Sequence, residues 1–166
     1  FILSRLQDPN RNGAWGTKGL MMGNIQAGKT GNYIGLMAKA LDAGYKIVIV
    51  LTGIHESLRA QTQLRVNQGL LGFTPTVTGG RLDKTEDAFK KLPKRHPIFC
   101  FTTANEGGDF RAAVAQINFQ DMIRQNQLAF VVKKNAGILR NLHSWLSGVA
   151  DEVEGHRVIL NIPALI

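Results

Sequence analysis

The chain has 166 residues, 44% of them hydrophobic, which matches one ordinary domain with enough apolar side chains for a sizeable core. Its 20 Lys and Arg against 12 Asp and Glu leave a formal charge of +8, which favours anionic partners such as nucleotides and nucleic acid, although plain solubility accounts for the charge as well. The single cysteine, Cys100, excludes a disulfide within the chain and a cysteine-based zinc site and suits a reducing cytoplasm, while no apolar run approaches the roughly 20 residues of a membrane helix.

Phe1 to Gly16 mixes polar residues, Pro9 and Gly13 without a period and reads as a lead-in, residues 1–16, before a domain over residues 17–166. Lys18 to Met22 is expected to form a short strand. A helix follows from Lys29 to about Ala43, with Tyr33, Met37, Ala40 and Leu41 on one face and Gly44 to end it. Tyr45 to Leu51 is a β-branched run suited to a strand buried on both faces of a parallel sheet, so the order strand, loop, helix, strand makes a βαβ unit. Ser57 to Asn67 reads as a surface helix with Leu58 and Leu64 turned inward. Gly79 to Pro97 is a charged connection with a short helix around Glu86 to Leu92, and Ile98 to Thr102 is the next strand. Phe110, Val114 and Ile117 recur at helical spacing, Leu128 to Val132 is a further strand, and Ile138, Leu142, Trp145 and Val149 mark an amphipathic helix. A polar turn at Asp151 to His156 leads into Arg157 to Ile166, whose last apolar residues are expected to open another strand. Both ends are expected to lie inside a longer protein.

One motif carries chemistry. Gly23-Asn24-Ile25-Gln26-Ala27-Gly28-Lys29-Thr30 satisfies G-x-x-x-x-G-K-(S/T) in full. A loop wrapped around phosphates points successive backbone N–H groups inward, and glycine reaches the needed dihedrals without a Cβ clash, hence Gly23 and Gly28. Lys29 supplies a cation to the β- and γ-phosphates of ATP, Thr30 offers its hydroxyl to Mg²⁺, and the helix that opens there directs its positive end at the anion. An expected strand before it and helix after it are the context that separates this motif from a chance match in a chain with 18 glycines.

In a parallel sheet the loops leaving the C-terminal strand ends share one edge, where ligands bind. Besides the P-loop, that edge is expected to hold Thr52 to His55 leading into Ser57, Arg59, Gln61 and Arg65; Thr102 to Asn105; and Lys133-Lys134-Asn135. Such hydroxyl, amide and cationic groups suit a phosphate backbone, so Arg59, Gln61, Lys133, Lys134 and Asn135 are the candidate nucleic-acid contacts. They are equally the residues that solvate a helix face or cap a strand. Trp15 serves either for stacking on a base or for packing at a domain edge. The histidines His55, His96, His143 and His156 are scattered and lack a metal-ligand spacing.

Taken together, Gly19 to Thr30, Ile47 to Arg65 and Phe130 to Trp145 resemble the first half of a superfamily-two helicase motor domain, and more closely the endonuclease family called the Z-one domain. The residues that carry the resemblance are Gln26, Gly28, Lys29 and Thr30 with Gly31-Asn32-Tyr33; Ile49 to His55 with Leu58-Arg59-Ala60-Gln61-Thr62; and Val132 to Asn135 with Leu139, Leu142 and Trp145. The resemblance implies an α/β, RecA-like P-loop NTPase lobe that binds ATP and Mg²⁺. It also implies that the segments matching Thr52 to Gln61 and Lys133 to Asn135 touch a nucleic-acid strand, and that the work is DNA processing, in restriction or phage defence. The family's acidic Walker B strand is expected beyond Ile166, along with a second lobe and an effector region elsewhere in a parent chain. By this reading the chain binds Mg·ATP and by itself turns over essentially none. The leading expectation is thus the ATP-binding part of an ATP-dependent DNA-processing hydrolase in the cytoplasm, with no membrane partner. Next comes an ATP-gated switch without translocation or nuclease activity, and then a small-molecule kinase.

Overall fold

β-Branched residues in succession favour extended backbone and pack well where both faces of a strand are covered. Ile47 to Val50 is such a run, and the molecule is arranged about it. The computed structural model describes residues 2–20, 22, 28–72, 74–78, 81–85, 98–111, 126–155, 157–160 and 162–166. After a 3-10 turn at Leu3–Arg5 come helix α1 (Lys29–Ala43), strand β1 (Ile47–Thr52) and helix α2 (Glu56–Val66), which continues through a π-helical turn at Asn67–Leu71. Then follow strands β2 (Thr74–Thr78), β3 (Arg81–Thr85), β4 (Ile98–Cys100) and β5 (Gln127–Lys133), helix α3 (Ala136–Gly148), and strands β6 (Glu152–Glu154), β7 (Arg157–Ile159) and β8 (Ala164–Leu165).

The chain is α/β. Four strands make an all-parallel sheet in the order β4-β5-β1-β8. β1 lies beside β5 in the register Ile47↔Leu128 through Thr52↔Lys133, so alternate residues of both strands face the same side. Ile47, Ile49, Leu128, Phe130 and Val132 enter one core with Phe101, Phe110, Leu142 and Trp145. Val48, Ala129 and Val131 enter a second core with Ile98, Cys100, Met37, Leu41, Val66 and Leu70. α3 therefore covers one face, and α1 with α2 covers the other. In the first core Phe130 sits 5.6 Å from Phe101, 5.7 Å from Phe110 and 5.5 Å from Trp145, ring centre to ring centre.

The helices end for local reasons. Gly44, at φ 113°, closes α1 in the left-handed region that glycine favours, with cap N–H bonds to the Ala40 and Leu41 carbonyls. Asn135 caps α3 by accepting from the Gly137 and Ile138 N–H groups. The lead-in finds its partners within this chain. The Tyr45 hydroxyl donates to the Gln7 carbonyl at 2.9 Å, and the Trp15 ring meets the Tyr45 ring edge-on at 6.0 Å.

Four expectations need correction. Glu152–Glu154, expected within a polar turn, is a strand that pairs antiparallel with Arg157–Ile159. Residues 18–20 and 22 form no strand, and Leu20 and Met22 are each 86% exposed. A strand exists by its ladder, and no described strand runs beside these residues. In α2 the residues turned inward are Arg59, Gln63 and Val66, while Leu58 and Leu64 stay about half exposed. Six residues at about 100° each put Leu58 and Leu64 about 120° apart, so the two leucines never shared a face. Arg81 to Thr85, expected within a charged connection, pairs antiparallel with Thr74 to Thr78, with Gly79 and Gly80 between them in sequence. A glycine pair between alternating residues is itself a hairpin signal. The helices expected at Glu86 to Leu92 and around Val114 and Ile117 lie outside the described residues. Found as expected are α1, β1, β4, β5, α3 and a strand, β8, near Ile166.

Truncating Phe130, wholly buried among three aromatic rings, leaves a void that its neighbours cannot refill. Phe130→Ala is expected to cost about 3–5 kcal/mol, read as a lowered midpoint in urea unfolding.

Candidate functional site

Gly23 to Ala27 of the P-loop motif lie outside the described residues. Gly28 is in the left-handed region, φ 67° and ψ 21°, and α1 begins at Lys29. Such a φ is costly for a side chain bearing Cβ and free for glycine, which is the physical content of that motif position. Only Gly44 to Lys46 separate α1 from β1. Thr30, in the first turn, accepts a hydrogen bond at its Oγ1 from Nη1 of Arg65 at 2.9 Å.

The C-terminal strand ends gather a charged cluster. Thr52 and Lys133 are partners in the β1–β5 ladder, and Glu56, in the first turn of α2, reaches over them. Its Oε2 lies 2.6 Å from Lys133 Nζ, and its Oε1 lies 2.7 Å from Arg59 Nε and 2.6 Å from Arg59 Nη2. Asp109, buried in the loop after β4, accepts the Phe110 N–H at 2.7 Å and the Lys133 N–H at 3.4 Å, and its Oδ2 stands 3.8 Å from Lys133 Nζ. That loop folds tightly: Thr103 N–H donates to the Gly108 carbonyl and Gly108 N–H to the Asn105 carbonyl. A Cβ at Gly108 would strike Thr103 and come 2.8 Å from the Asn105 carbonyl oxygen. The loops after β1, β4 and β5 are thus tied together through Glu56, Lys133 and Asp109.

The candidate nucleic-acid residues divide. Arg59 is wholly buried. Its guanidinium is held by Glu56 and donates from Nη2 to the Asn105 carbonyl at 3.4 Å, while Nη1 has no acceptor among the described residues. It therefore presents no group to a phosphate at the surface; it braces the loop after β4 instead. Lys133 is 22% exposed at its side chain and ion-paired. Asn135 is engaged as the α3 cap. Gln61 and Lys134 are exposed. Glu56 and Asp109 went unnoticed as members of the site. The signal for Glu56 is its spacing of three before Arg59 on one helix; nothing in the sequence points Asp109 at Lys133.

Below Arg59 the buried face of α2 continues polar. Gln63 accepts from Thr102 Oγ1 at 2.7 Å and donates from Nε2 to Asn67 Oδ1 at 2.8 Å and to Cys100 Sγ at 3.3 Å. Thr102 Oγ1 also accepts the Val131 N–H at 2.9 Å. Burial pushes the Cys100 thiol up, against hydrogen bonds from Thr102 and Gln63, which leaves it an unreactive core group. Trp15 packs rather than projects. With His143, Leu146, Leu160 and Ile162 it walls a cavity of about 640 Å³ that no described residue of the P-loop motif or the charged cluster lines.

Burial alone would raise the Glu56 carboxyl, but hydrogen bonds from Arg59 and Lys133 and the charges of both outweigh it and hold the group below its ordinary value of 4.5. A folded-state value below the unfolded one contributes stability that is present above 4.5 and is lost as pH falls through the lowered value. Glu56→Gln is expected to cost about 2 kcal/mol at neutral pH, discounted from the ~3–5 of a fully buried pair because Glu56 is partly exposed. Its melting temperature should also fall less steeply than that of the native chain on acidification below pH 4.5; thermal melts across the acid range read both effects. Compared with protein-family models, curated proteins and solved structures, the chain gives no match.

Proposed function

We propose that this chain is the ATP-binding part of an ATP-dependent DNA-processing enzyme, a RecA-like P-loop lobe of the helicase-like class that the Z-one endonuclease domain resembles. The observation that carries the reading is the complete motif Gly23 to Thr30 in the sequence, whose last two residues open α1 behind a left-handed Gly28; in open α/β sheets the proposed site belongs at the edge of the C-terminal strand ends. Nucleotide phosphates are bound at that edge in open α/β sheets.

The residues fit the Mg²⁺ that such a site takes. The Thr30 hydroxyl oxygen already accepts from a cationic group, the Arg65 guanidinium, so it is presented to positive charge. Bound there, the ion would supply charge neutralisation between the β- and γ-phosphates. Backbone N–H groups at the start of α1 and the Lys29 ammonium bind and orient the phosphates. The carboxylates described at this edge, Glu56 and Asp109, are engaged with Arg59 and Lys133. Activation of the attacking water is therefore assigned to an acidic group outside this set. DNA is the proposed partner at the same edge, with Gln61 and Lys134 exposed to meet a strand and Lys133 held in reserve by Glu56.

Two measurements test the reading. Lys29→Ala removes the motif's cation and is expected to weaken Mg·ATP by at least about tenfold in calorimetric titration, roughly 1.4 kcal/mol; unchanged affinity ends the P-loop assignment. Lys134→Ala is expected to weaken DNA binding and to flatten the dependence of log affinity on log salt by about 0.9, the value for neutralising one phosphate fewer, with ATP affinity unaltered. An unaltered salt slope returns Lys134 to the solvated surface.

A further inference from the structure

Arg65 stands in the last turn of α2, exposed to solvent. An exposed arginine ordinarily lays its stem on the surface and leaves its head in water. Here the head crosses to another helix and donates to the hydroxyl of Thr30, at a sequence separation of 35 residues. A neutral hydroxyl is a poor partner for a guanidinium, whose planar fork matches carboxylate or phosphate.

No carboxylate is close enough to pair with Arg65 among the described residues. The local charges show why. Gly23 to Tyr33 contains no Asp or Glu. α1 carries one acid, Asp42, at its far end, and the one acid of α2, Glu56, is taken by Arg59 and Lys133. The Arg65 head thus meets the first turn of α1 with no acid of either helix paired to it, and an anion completes the arrangement.

We propose that Arg65 contacts the β- or γ-phosphate of the bound nucleoside triphosphate, with its bond to Thr30 as the resting position of that side chain. This rests on the P-loop reading above and adds to it a residue that no part of the motif specifies. With nucleotide bound, the Thr30 hydroxyl would be a ligand for the metal and the Arg65 guanidinium would pair with phosphate oxygens. The same helix grips Lys133 through Glu56 at its other end, nine residues earlier, or about 14 Å along the axis. Nucleotide phosphate and the strand-end cluster are therefore held by opposite ends of α2.

The test is calorimetric titration of the full chain and its Arg65→Gln and Lys29→Ala variants with Mg·ATP and with AMP, alongside melting curves without nucleotide. Arg65→Gln is expected to weaken Mg·ATP about tenfold, as removal of one charge-assisted hydrogen bond does, to leave AMP binding as it was, and to melt like the native chain. Native-like Mg·ATP affinity in Arg65→Gln, with Lys29→Ala impaired, overturns the role of Arg65 and leaves the P-loop reading intact. Equal losses for both nucleotides, or a lowered melting temperature, overturn it as well, since a merely structural residue behaves that way. If Lys29→Ala also binds normally, the P-loop reading fails and the proposal with it.

Discussion

Parallel pairing of β1 with β5 is the constraint on which the rest depends. Parallel neighbours cannot be joined by a tight turn, so each connection must cross a face of the sheet, and both faces must then be covered. The register Ile47↔Leu128 through Thr52↔Lys133 sends alternate side chains of both strands into two separate cores. The same pairing brings Thr52 and Lys133 side by side at the C-terminal edge, where the charged cluster forms. The fold thus creates a shared edge, and residues from segments distant in the chain meet there.

The covering of the α1–α2 face is unusual in its chemistry. α1 meets the sheet with Met37 and Leu41, but α2 meets it with Arg59 and Gln63 as well as Val66. Burying a charge and an amide is costly unless each finds partners. Glu56 supplies most of what Arg59 needs, and Thr102, Asn67 and Cys100 satisfy Gln63. Hydrogen bonds are directional where apolar contacts are not, so this polar seam sets the rotation of α2 about its axis. That rotation puts Leu58 outside, Glu56 over Lys133 and Arg65 beside Thr30. Positioning of the candidate site and burial of the polar seam are therefore one event.

Much of this was legible in the residues alone. The P-loop motif is local, because its pattern occupies eight consecutive positions. α1 announces itself by the spacing of Met37, Ala40 and Leu41 and by Gly44, and α3 by Ile138, Leu142 and Trp145. The β-branched run in β1 and the apolar run in β5 predicted buried parallel strands, and both are buried along their length except at Val50, Leu51 and Lys133. These are short-range patterns, and short-range physics suffices for them. The pairing of β2 with β3 was misread, because the charges on Arg81, Asp83 and Lys84 argued for a connection.

What the sequence could not decide is where the polar residues of α2 and of the connecting loops end up. Arg59 and Lys134 look alike in sequence, each a cation near a strand end. One is wholly buried and the other exposed. The difference comes from Glu56, Asn105 and the sheet beneath, and it follows from partners brought in by the β1–β5 pairing rather than from neighbours in the chain. Lys133 acquires Asp109 from the loop after β4 in the same way, and Arg65 acquires Thr30 from a different helix. The sequence by itself determined the glycine-lysine motif, the main helices and the buried strands, because each rests on the spacing of nearby residues. Tertiary structure alone decided which cations remain free for an anion, because a charge is committed only by the group that meets it in space.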